Sequence, residues 1–172
     1  MILPRSVSLA PLAAVLMANP AFAADTVAVF PFELLDVSQD DELIPKVRLE
    51  ETKRLQLLTD DLKARLAASK QFEIAPIDTL ADEIKAAAPL FKCNGCETDL
   101  AKKSGAKLAM MGLVQKFSDT LLSVSIQVVD AQSGKVTGNF SAGVQGNTEE
   151  SWMRALGHIV KNKIITVEGS PQ

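Results

Sequence analysis

The residue pattern predicts an α/β protein in which helices pack on a mixed five-stranded sheet, with the element order βαβααβββα. Three observations support this fold class. Short runs of apolar, β-branched residues alternate with segments of helical periodicity through the first two thirds of the chain. The last third instead alternates apolar and polar residues with a period of two, and a capped amphipathic segment follows it.

The first two thirds supply the elements that connect parallel strands. The run TVAVFPF is apolar on both faces, as in an interior strand, and an acidic loop over 33–47 follows it. Four leucines then recur at three- and four-residue spacing, which places them on one face of a long helix. A second strand and two shorter helices come next, the first of these helices ended by Pro89. The predicted elements are strand 26–32, helix 48–69, strand 72–77, helix 78–88 and helix 97–104.

The last third supplies three strands and the closing helix. The predicted strands are 107–117, 121–129 and 136–146. The first of them is apolar on both faces and is expected to be central, whereas the other two bury only one face. We expect their polar face to be open, or covered by a partner that tolerates Ser, Thr, Asn and Gln. Asn147 or Thr148 caps the closing helix, and Glu150 is placed for a capping box with Asn147.

The strand directions predict the place of a binding surface. If strands one to three run parallel, strand four reverses and strand five returns, so the loops after strands one and five leave the same edge of the sheet. Open α/β sheets bind ligands at such an edge. Trp152 has two interpretations, a contact residue or an anchor that packs the last helix on the sheet. The candidate partner or ligand contacts are Asp36, Ser38, Asn147, Thr148, Trp152 and Arg154.

Both cysteines lie in the stretch FKCNGCETDL, directly before the third helix. A c-type haem needs His after the second cysteine, where Glu97 stands, and a zinc site needs more ligands than two thiols and one His supply. Two interpretations remain. A disulfide between Cys93 and Cys96 suits an oxidising compartment, with Asn94 and Gly95 able to adopt positive φ. A thiol-disulfide redox role follows if the helix N-terminus stabilises a thiolate. No metal site or cofactor is predicted.

The amino terminus has the pattern of a cleaved secretory signal. Arg5 precedes an apolar run, and the sequence Ala-Phe-Ala ending at Ala23 has the small-x-small form of a cleavage site. The apolar run is too short to span a bilayer. We therefore predict a signal peptide over 1–23 and a single α/β domain over 24–172, soluble in the periplasm and without a membrane span.

Charge and motif content exclude several function classes. The chain has 18 Lys and Arg against 21 Asp and Glu, so no basic surface for nucleic acid is predicted. It has no Gly-rich phosphate loop and no nucleophile elbow, and His158 falls on the polar face of the last helix. The acidic loop matches the first ligand positions of a calcium loop at Asp36, Ser38 and Asp40 and then departs from that pattern. Weak metal-ion binding over 36–42 therefore stays an alternative.

Several motifs resemble an uncharacterised family of predicted secreted bacterial proteins. They are the Asp-x-Ser motif at Asp36, the Cys-x-x-Cys motif at Cys93 and the sequence GNTEESW from Gly146. At fold level, SGAKLAMMGLVQ and LLSVSIQVVDAQSGKV are similar to the N-terminal domain of TolB. That resemblance implies a protein-contact module and not an enzyme. We therefore expect a non-enzymatic periplasmic module that binds an envelope protein, still to be identified, or a ligand.

Overall fold

The computed structural model describes residues 24–38 and 48–165. The predicted signal peptide, most of the predicted cation loop and the chain end lie outside this part. The described helices and strands are β1 (Asp25–Val29), β2 (Glu33–Asp36), α1 (Leu49–Ser69), β3 (Phe72–Ile74), α2 (Ala81–Ala87), α3 (Cys96–Lys103), β4 (Leu108–Lys116), β5 (Leu121–Asp130), β6 (Val136–Gln145) and α4 (Glu149–Ile159). Short 3₁₀ turns at Asp78–Leu80 and Leu90–Lys92 and a π-helical turn at Val160–Ile164 complete them. None of the described helices is both long and apolar enough to cross a membrane.

The described strands form one mixed sheet of six strands. Their order is β3-β1-β4-β5-β6, with β2 also paired to β4. β1 is parallel to β3 and β4, whereas β5 is antiparallel to both β4 and β6. The early strands are joined through helices and can therefore run parallel, while tight turns make the late strands antiparallel. The α/β class and the predicted strand directions are confirmed.

The sheet has one strand more than predicted, because β2 follows the first predicted strand within the predicted acidic loop. The Phe30 N–H still donates to β4 at 3.0 Å, but Pro31 has no N–H and the pairing stops there. Parallel pairing to β4 resumes at Glu33 and continues to Asp36. Between the two pairings the chain is one residue longer than β4, as in a β-bulge. The predicted loop over 33–47 was therefore wrong for the residues that form β2.

One face of the sheet is fully covered by α1 and α4. The fully buried side chains that these helices place on it are Leu58, Leu62, Leu66, Trp152, Leu156 and Ile159. The predicted leucine face of α1 is confirmed by this packing. Phe32 also lies on this face, directly over Gly112, where a Cβ atom would come within 2.4 Å of the ring. The absence of a side chain at Gly112 therefore lets the ring pack onto the strand.

The opposite face is only partly covered. α2, α3 and the Leu90–Lys92 turn pack over β1 and the start of β4, where Ala28, Phe30 and Ala109 are buried. Beyond that area no described helix covers the sheet, and the side chains are half-buried or exposed. We call this area the open face. Its residues are Glu33, Leu35, Met111, Leu113, Gln115, Ser123, Ser125, Gln127, Asn139 and Ser141.

The start of α4 is capped by Thr148. The Thr148 side-chain oxygen accepts a hydrogen bond from the Ser151 N–H at 3.2 Å, and the Ser151 hydroxyl accepts one from the Thr148 N–H at 3.3 Å. Thr148 was one of the two caps that the sequence predicts. The predicted capping box between Asn147 and Glu150 was wrong, because Asn147 directs its amide group towards α1.

Candidate binding site

A buried ion-pair cluster lies at the edge of the sheet where β2 and β4 end. Its centre is Lys116, whose side chain is 1% exposed. The Lys116 Nζ lies 3.3 Å from Asp36 Oδ2, 3.2 Å from Glu51 Oε1 and 2.9 Å from Asp119 Oδ1. Asp36 and Glu51 are also buried, whereas Asp119 is exposed. We call these four residues the strand-end cluster.

Hydrogen bonds connect the strand-end cluster to the start of α4. The Asn147 Nδ2 donates to Glu51 Oε1 at 2.9 Å, and Arg54 donates to Asn147 Oδ1, also at 2.9 Å. The Arg54 guanidinium carbon lies 5.7 Å from the ring centroid of Trp152. The end of β2 and the start of α4 therefore lie at the same edge of the sheet, and Lys116 and Glu51 connect Asp36 to Asn147 there.

The bridging residues Glu51, Arg54 and Lys116 were not among the predicted site residues. Each is charged and is typical of a solvated surface when considered alone. The sequence does indicate that Lys116 is buried, because it follows Gly112 and Val114 at two-residue steps and so falls on the buried side of its strand. Glu51 and Arg54 had no comparable signal, because their partners lie far away in the chain.

Two opposing effects set the pKa values of the buried groups. Burial by itself raises the pKa of Asp36 and Glu51, but hydrogen bonds from Ser38 and Asn147 and the nearby Lys116 outweigh it, so both pKa values lie below their ordinary values. Burial likewise opposes the charged form of Lys116, yet its carboxylate partners raise the Lys116 pKa above the ordinary value. All three groups are therefore held in their ionised forms.

This electrostatic arrangement does not suit catalysis near neutral pH. A general acid or base works best when its pKa is close to the working pH, and a nucleophilic lysine needs a lowered pKa. In the strand-end cluster the shifts go the other way, since the buried carboxyl groups are more acidic and the lysine is more basic than usual. The cluster therefore acts to hold the loops at this edge in a fixed geometry.

The predicted contact residues divide between the interior and the surface. Trp152 is fully buried, which corresponds to its interpretation as a packing anchor. Its indole Nε1 has no hydrogen-bond partner within the described part of the chain. Ser38, Thr148 and Arg154 are exposed, and Arg154 pairs with Glu150 at 2.6 Å on the outer side of α4. Only the exposed members of the set are accessible to another molecule in this conformation.

The two cysteines lie at disulfide distance, with the Cα atoms of Cys93 and Cys96 separated by 5.6 Å. Between them, Asn94 and Gly95 have φ values of +51° and +109°, as the sequence predicts. Glu97 accepts a hydrogen bond from the Gly95 N–H at 3.1 Å and places a carboxylate oxygen 3.4 Å from the Cys93 sulfur. A carboxylate at that position disfavours a thiolate by charge repulsion, and therefore disfavours redox chemistry.

The same three side chains, Cys93, Cys96 and Glu97, are close enough to one another to bind a metal ion. Metal binding by cysteine needs the thiolate form. Sulfur atoms at disulfide distance do not offer two thiolates, so this geometry favours the disulfide. The acidic loop is the other predicted cation site, and its residues 39–42 lie outside the described part; weak cation binding there stays a prediction.

Two clefts of 250 and 270 Å³ lie on the open face beside the cysteine segment. They share Phe91, Met111 and Gln127 as lining residues. The Glu33 carboxylate accepts hydrogen bonds from the Leu90 N–H at 2.7 Å and from the Phe91 N–H at 3.1 Å. A residue of the unpredicted strand β2 therefore holds the turn that brings Phe91 over the open face.

Solved structures of low sequence identity share the fold. Lipoprotein GNA1162 from Neisseria meningitidis matches with a TM-score of 0.52 and 16% identity, over 83% of this chain and 98% of that chain. The LpoB C-terminal domain from Escherichia coli matches with a TM-score of 0.50 and 14% identity, over 74% of this chain and 87% of that chain. TolB from Acinetobacter baumannii matches with a TM-score of 0.45 and 14% identity, over 83% of this chain and 29% of that chain. The first two matches show a shared fold and assign no activity.

A family model gives the only assignment that rests on sequence. A search of curated protein sequences found no match. Residues 25–164 match the family DUF3280, whose description is "Protein of unknown function (DUF2380)". The matched range covers nearly all of the described residues, and it confirms the sequence prediction of an uncharacterised family. The chain therefore belongs to the DUF3280 family.

Proposed function

We propose that this chain is a non-enzymatic protein-binding module of the bacterial envelope and that its partner binds on the open face. The composition of the open face carries this proposal. Its one charged side chain is Glu33, whose carboxylate accepts hydrogen bonds from the Leu90 and Phe91 N–H groups. The other residues are apolar at Leu35, Met111 and Leu113, and otherwise Ser, Gln and Asn. The centres of protein–protein interfaces are depleted in charged residues in the same way.

The rest of the surface shows what a solvated face of this chain looks like. The outer side of α1 carries exposed Lys53, Asp60 and Arg65, and charged groups of both signs are typical of a surface that stays in water. Apart from Glu33, the open face lacks such groups although its side chains are half-buried or exposed. A surface that is usually covered by a partner explains this difference.

The shape of the open face also suits binding. Its two clefts are bounded by Phe91, which the Glu33 carboxylate fixes through two backbone hydrogen bonds. The Cys93–Cys96 segment begins directly after this turn and restricts it further. Because the walls are held before a partner arrives, little conformational entropy is lost on binding.

The strand-end residues have a supporting role in this proposal. Buried Asp36 and Trp152 and half-buried Asn147 fix the end of β2 and the start of α4, while exposed Ser38, Thr148 and Arg154 are available for contact at the rim. The charged state of the strand-end cluster supports a function without proton transfer or nucleophilic attack.

The location and the class of partner rest on the sequence. The signal-peptide pattern over 1–23 supports export to the periplasm, and one structure of the same fold, GNA1162, is a lipoprotein. A partner that meets the exported chain would be another protein of the envelope, with an interface that tolerates Ser, Asn and Gln side chains.

Site-specific photo-crosslinking in the source bacterium tests this proposal. A photoreactive residue at Ser125, in the middle of the open face, is compared with one at exposed Gln56 on α1. We expect a discrete crosslinked protein from position 125 only, and its loss when Gln127→Lys places a charge on the same face. Equal products from both positions, or no product from position 125, would contradict the proposal.

Thiol trapping in the same cells separates the redox alternative from the binding proposal. We expect Cys93 and Cys96 to resist alkylation until a reductant is added. A pair that is readily alkylated in the native compartment, together with no crosslink at Ser125, would favour redox function instead.

A further inference from the structure

The strand β6 forms one edge of the sheet, and its outer side is unpaired within the described residues. The strand is ten residues long, VTGNFSAGVQ, and contains no charged residue and no proline. Natural edge strands are normally short, or carry charges or proline that prevent pairing with another chain. The opposite edge strand follows that rule, because β3 has three residues and carries exposed Glu73.

The hydrogen-bond phase of β6 shows which backbone groups are directed outward. The Gly146 N–H donates to the Thr120 carbonyl at 2.9 Å, so Thr120 and Gly146 form a hydrogen-bonded pair. Antiparallel strands alternate hydrogen-bonded and non-hydrogen-bonded pairs, so the even-numbered residues of β6 bond to β5. A bulge opposite Val128 interrupts this alternation at Thr137. From Gly138 onward the N–H and C=O groups of the odd-numbered residues point away from β5; these residues are Asn139, Ser141, Gly143 and Gln145.

We propose that a second copy of this chain pairs its own β6 with this edge in antiparallel orientation, with the two-fold axis at Ser141. An axis at Ser141 pairs the outward groups of Asn139, Ser141 and Gly143 with those of the second copy. It also places Phe140 opposite a small side chain, whereas an axis one residue further along would place it opposite Val144. A two-fold dimer is also the commonest form of self-assembly.

The side chains of β6 are complementary to those of a second β6 in this register. On the helix side of the sheet, Phe140 lies opposite Ala142 of the partner subunit, and Val144 lies opposite Gly138 of the partner subunit. On the open-face side, Asn139 lies opposite Gly143 of the partner subunit. Each larger side chain thus meets a small one, and no like charges face each other because β6 has no charges.

A groove beside the edge provides room for the partner's side chains. It has a volume of 450 Å³ and lies between β6 and α4, with Ala142, Val144 and Ala155 as apolar lining and Arg154 and His158 at its outer side. Phe140 is only half-buried in the single chain. The Phe140 ring lies over Gly138 of its own strand, where a Cβ atom would come within 2.7 Å of it. In the proposed register Phe140 of the partner subunit lies opposite Ala142, and the pairing buries apolar surface on both copies.

Sedimentation equilibrium of the protein purified from the periplasm tests the dimer. We expect a species of twice the chain mass, and a shift to monomer in Ser141→Pro. Proline removes one outward N–H from each copy, so two hydrogen bonds are lost and the dissociation constant rises about thirtyfold. Ser141→Lys is a second variant that places two like charges opposite each other and is expected to weaken the dimer without removing a backbone group. Gln132→Lys, in the exposed turn before β6, is the matched control that leaves the dimer unchanged.

Crosslinking tests the register. A short bismaleimide is expected to join two copies of Ser141→Cys and to leave Gln132→Cys monomeric. It is also expected to join Asn139→Cys to Gly143→Cys in a mixture of the two variants. Crosslinking through Gln132→Cys would overturn the proposal, and so would a protein that stays monomeric throughout the micromolar range. The proposal would also be overturned if β6 pairs only with extended peptides of another protein.

The dimer and the proposed partner binding, on which the dimer does not depend, can be disproved independently of each other. Gln127→Lys lies on β5 and is expected to abolish the partner crosslink while the dimer persists. Ser141→Pro is expected to abolish the dimer while a photoreactive residue at Ser125 still captures the partner. If either variant loses both the dimer and the partner crosslink while its thermal unfolding midpoint equals that of the parent protein, the two surfaces are one.

Discussion

Replacing Lys116 by methionine tests the idea that the strand-end cluster fixes this edge of the sheet. The substitution keeps the length of the side chain but removes the cation that faces Asp36 and Glu51. Both carboxylates are buried, so neither can exchange its lost partner for water. We therefore expect a large loss of stability from a change of one charged residue.

The magnitude follows from the geometry of the cluster. Removing one partner of a buried ion pair typically costs about 3–5 kcal/mol of unfolding free energy. The lower part of that range applies here, since Asp36 keeps its hydrogen bonds from Ser38 and Glu51 keeps those from Asn147 and the Arg48 N–H. We expect Lys116→Met to cost about 3 kcal/mol at pH 7.

The pH dependence has a definite sign. In the parent protein the pKa values of Asp36 and Glu51 lie below their ordinary values of 3.8 and 4.5, so their stabilisation is present above those values and is lost as the pH falls through the folded-state pKa. In Lys116→Met burial is no longer offset by the cation, and the same pKa values rise. Protonation of these two carboxyl groups then removes buried charge from the variant as the pH falls. The difference in unfolding free energy between the two proteins therefore shrinks from pH 7 towards pH 4.

Urea unfolding followed by Trp152 fluorescence at pH 4, 5.5 and 7 measures this difference. Lys107→Met is the matched control, because Lys107 pairs with Asp25 at the surface and is expected to change stability little. A combined Lys116→Met and Glu51→Gln variant should recover part of the loss, since it removes one of the two buried charges that face the substituted residue. A loss below about 1 kcal/mol at pH 7, or a difference that grows towards pH 4, would refute the reasoning.

Three further substitutions test local packing, capping and the cysteine segment. Gly112→Ala places a Cβ against the Phe32 ring and is expected to lower the unfolding free energy by about 1–3 kcal/mol, measured by urea titration. Thr148→Ala removes the cap of α4 and should cost about 1 kcal/mol in the same assay, with Thr148→Ser as the control that retains it. Replacing Cys93 and Cys96 together by alanine should cost about 2 kcal/mol because the closed loop is short, and an unchanged midpoint would show that the pair does not constrain the unfolded chain.

The parts of the fold that the sequence predicts are those set by local pattern. The leucines of α1 fall on one face whatever the chain does elsewhere, and the two-fold alternation after residue 121 requires a sheet with one buried side. Strand β2 was missed because it is short, follows Pro31 and has acidic residues, Glu33 and Asp36, at its two ends. They form a strand only because β4 offers a parallel edge about eighty residues later.

The candidate site shows the same division. The strand directions predict that the loops after β2 and β6 meet, and Asp36 and Asn147 do belong to one network. The residues that join them, Lys116 and Glu51, depend on contacts separated by 65 positions in the chain. Such contacts leave no local pattern in the sequence. The only sequence signal for this network was the position of Lys116, which alternation within its strand places on the buried side.

The two proposals constrain each other through the geometry of the sheet. When two β6 strands pair in one antiparallel sheet, the two-fold axis stands perpendicular to the sheet, and residues opposite each other project to the same side. The open faces of both copies then lie on one side of a continuous sheet, and all copies of α1 and α4 lie on the other. The dimer would therefore present a doubled surface of mostly uncharged side chains, which a two-fold symmetric envelope partner, or two copies of one partner, covers more completely than a single asymmetric protein does.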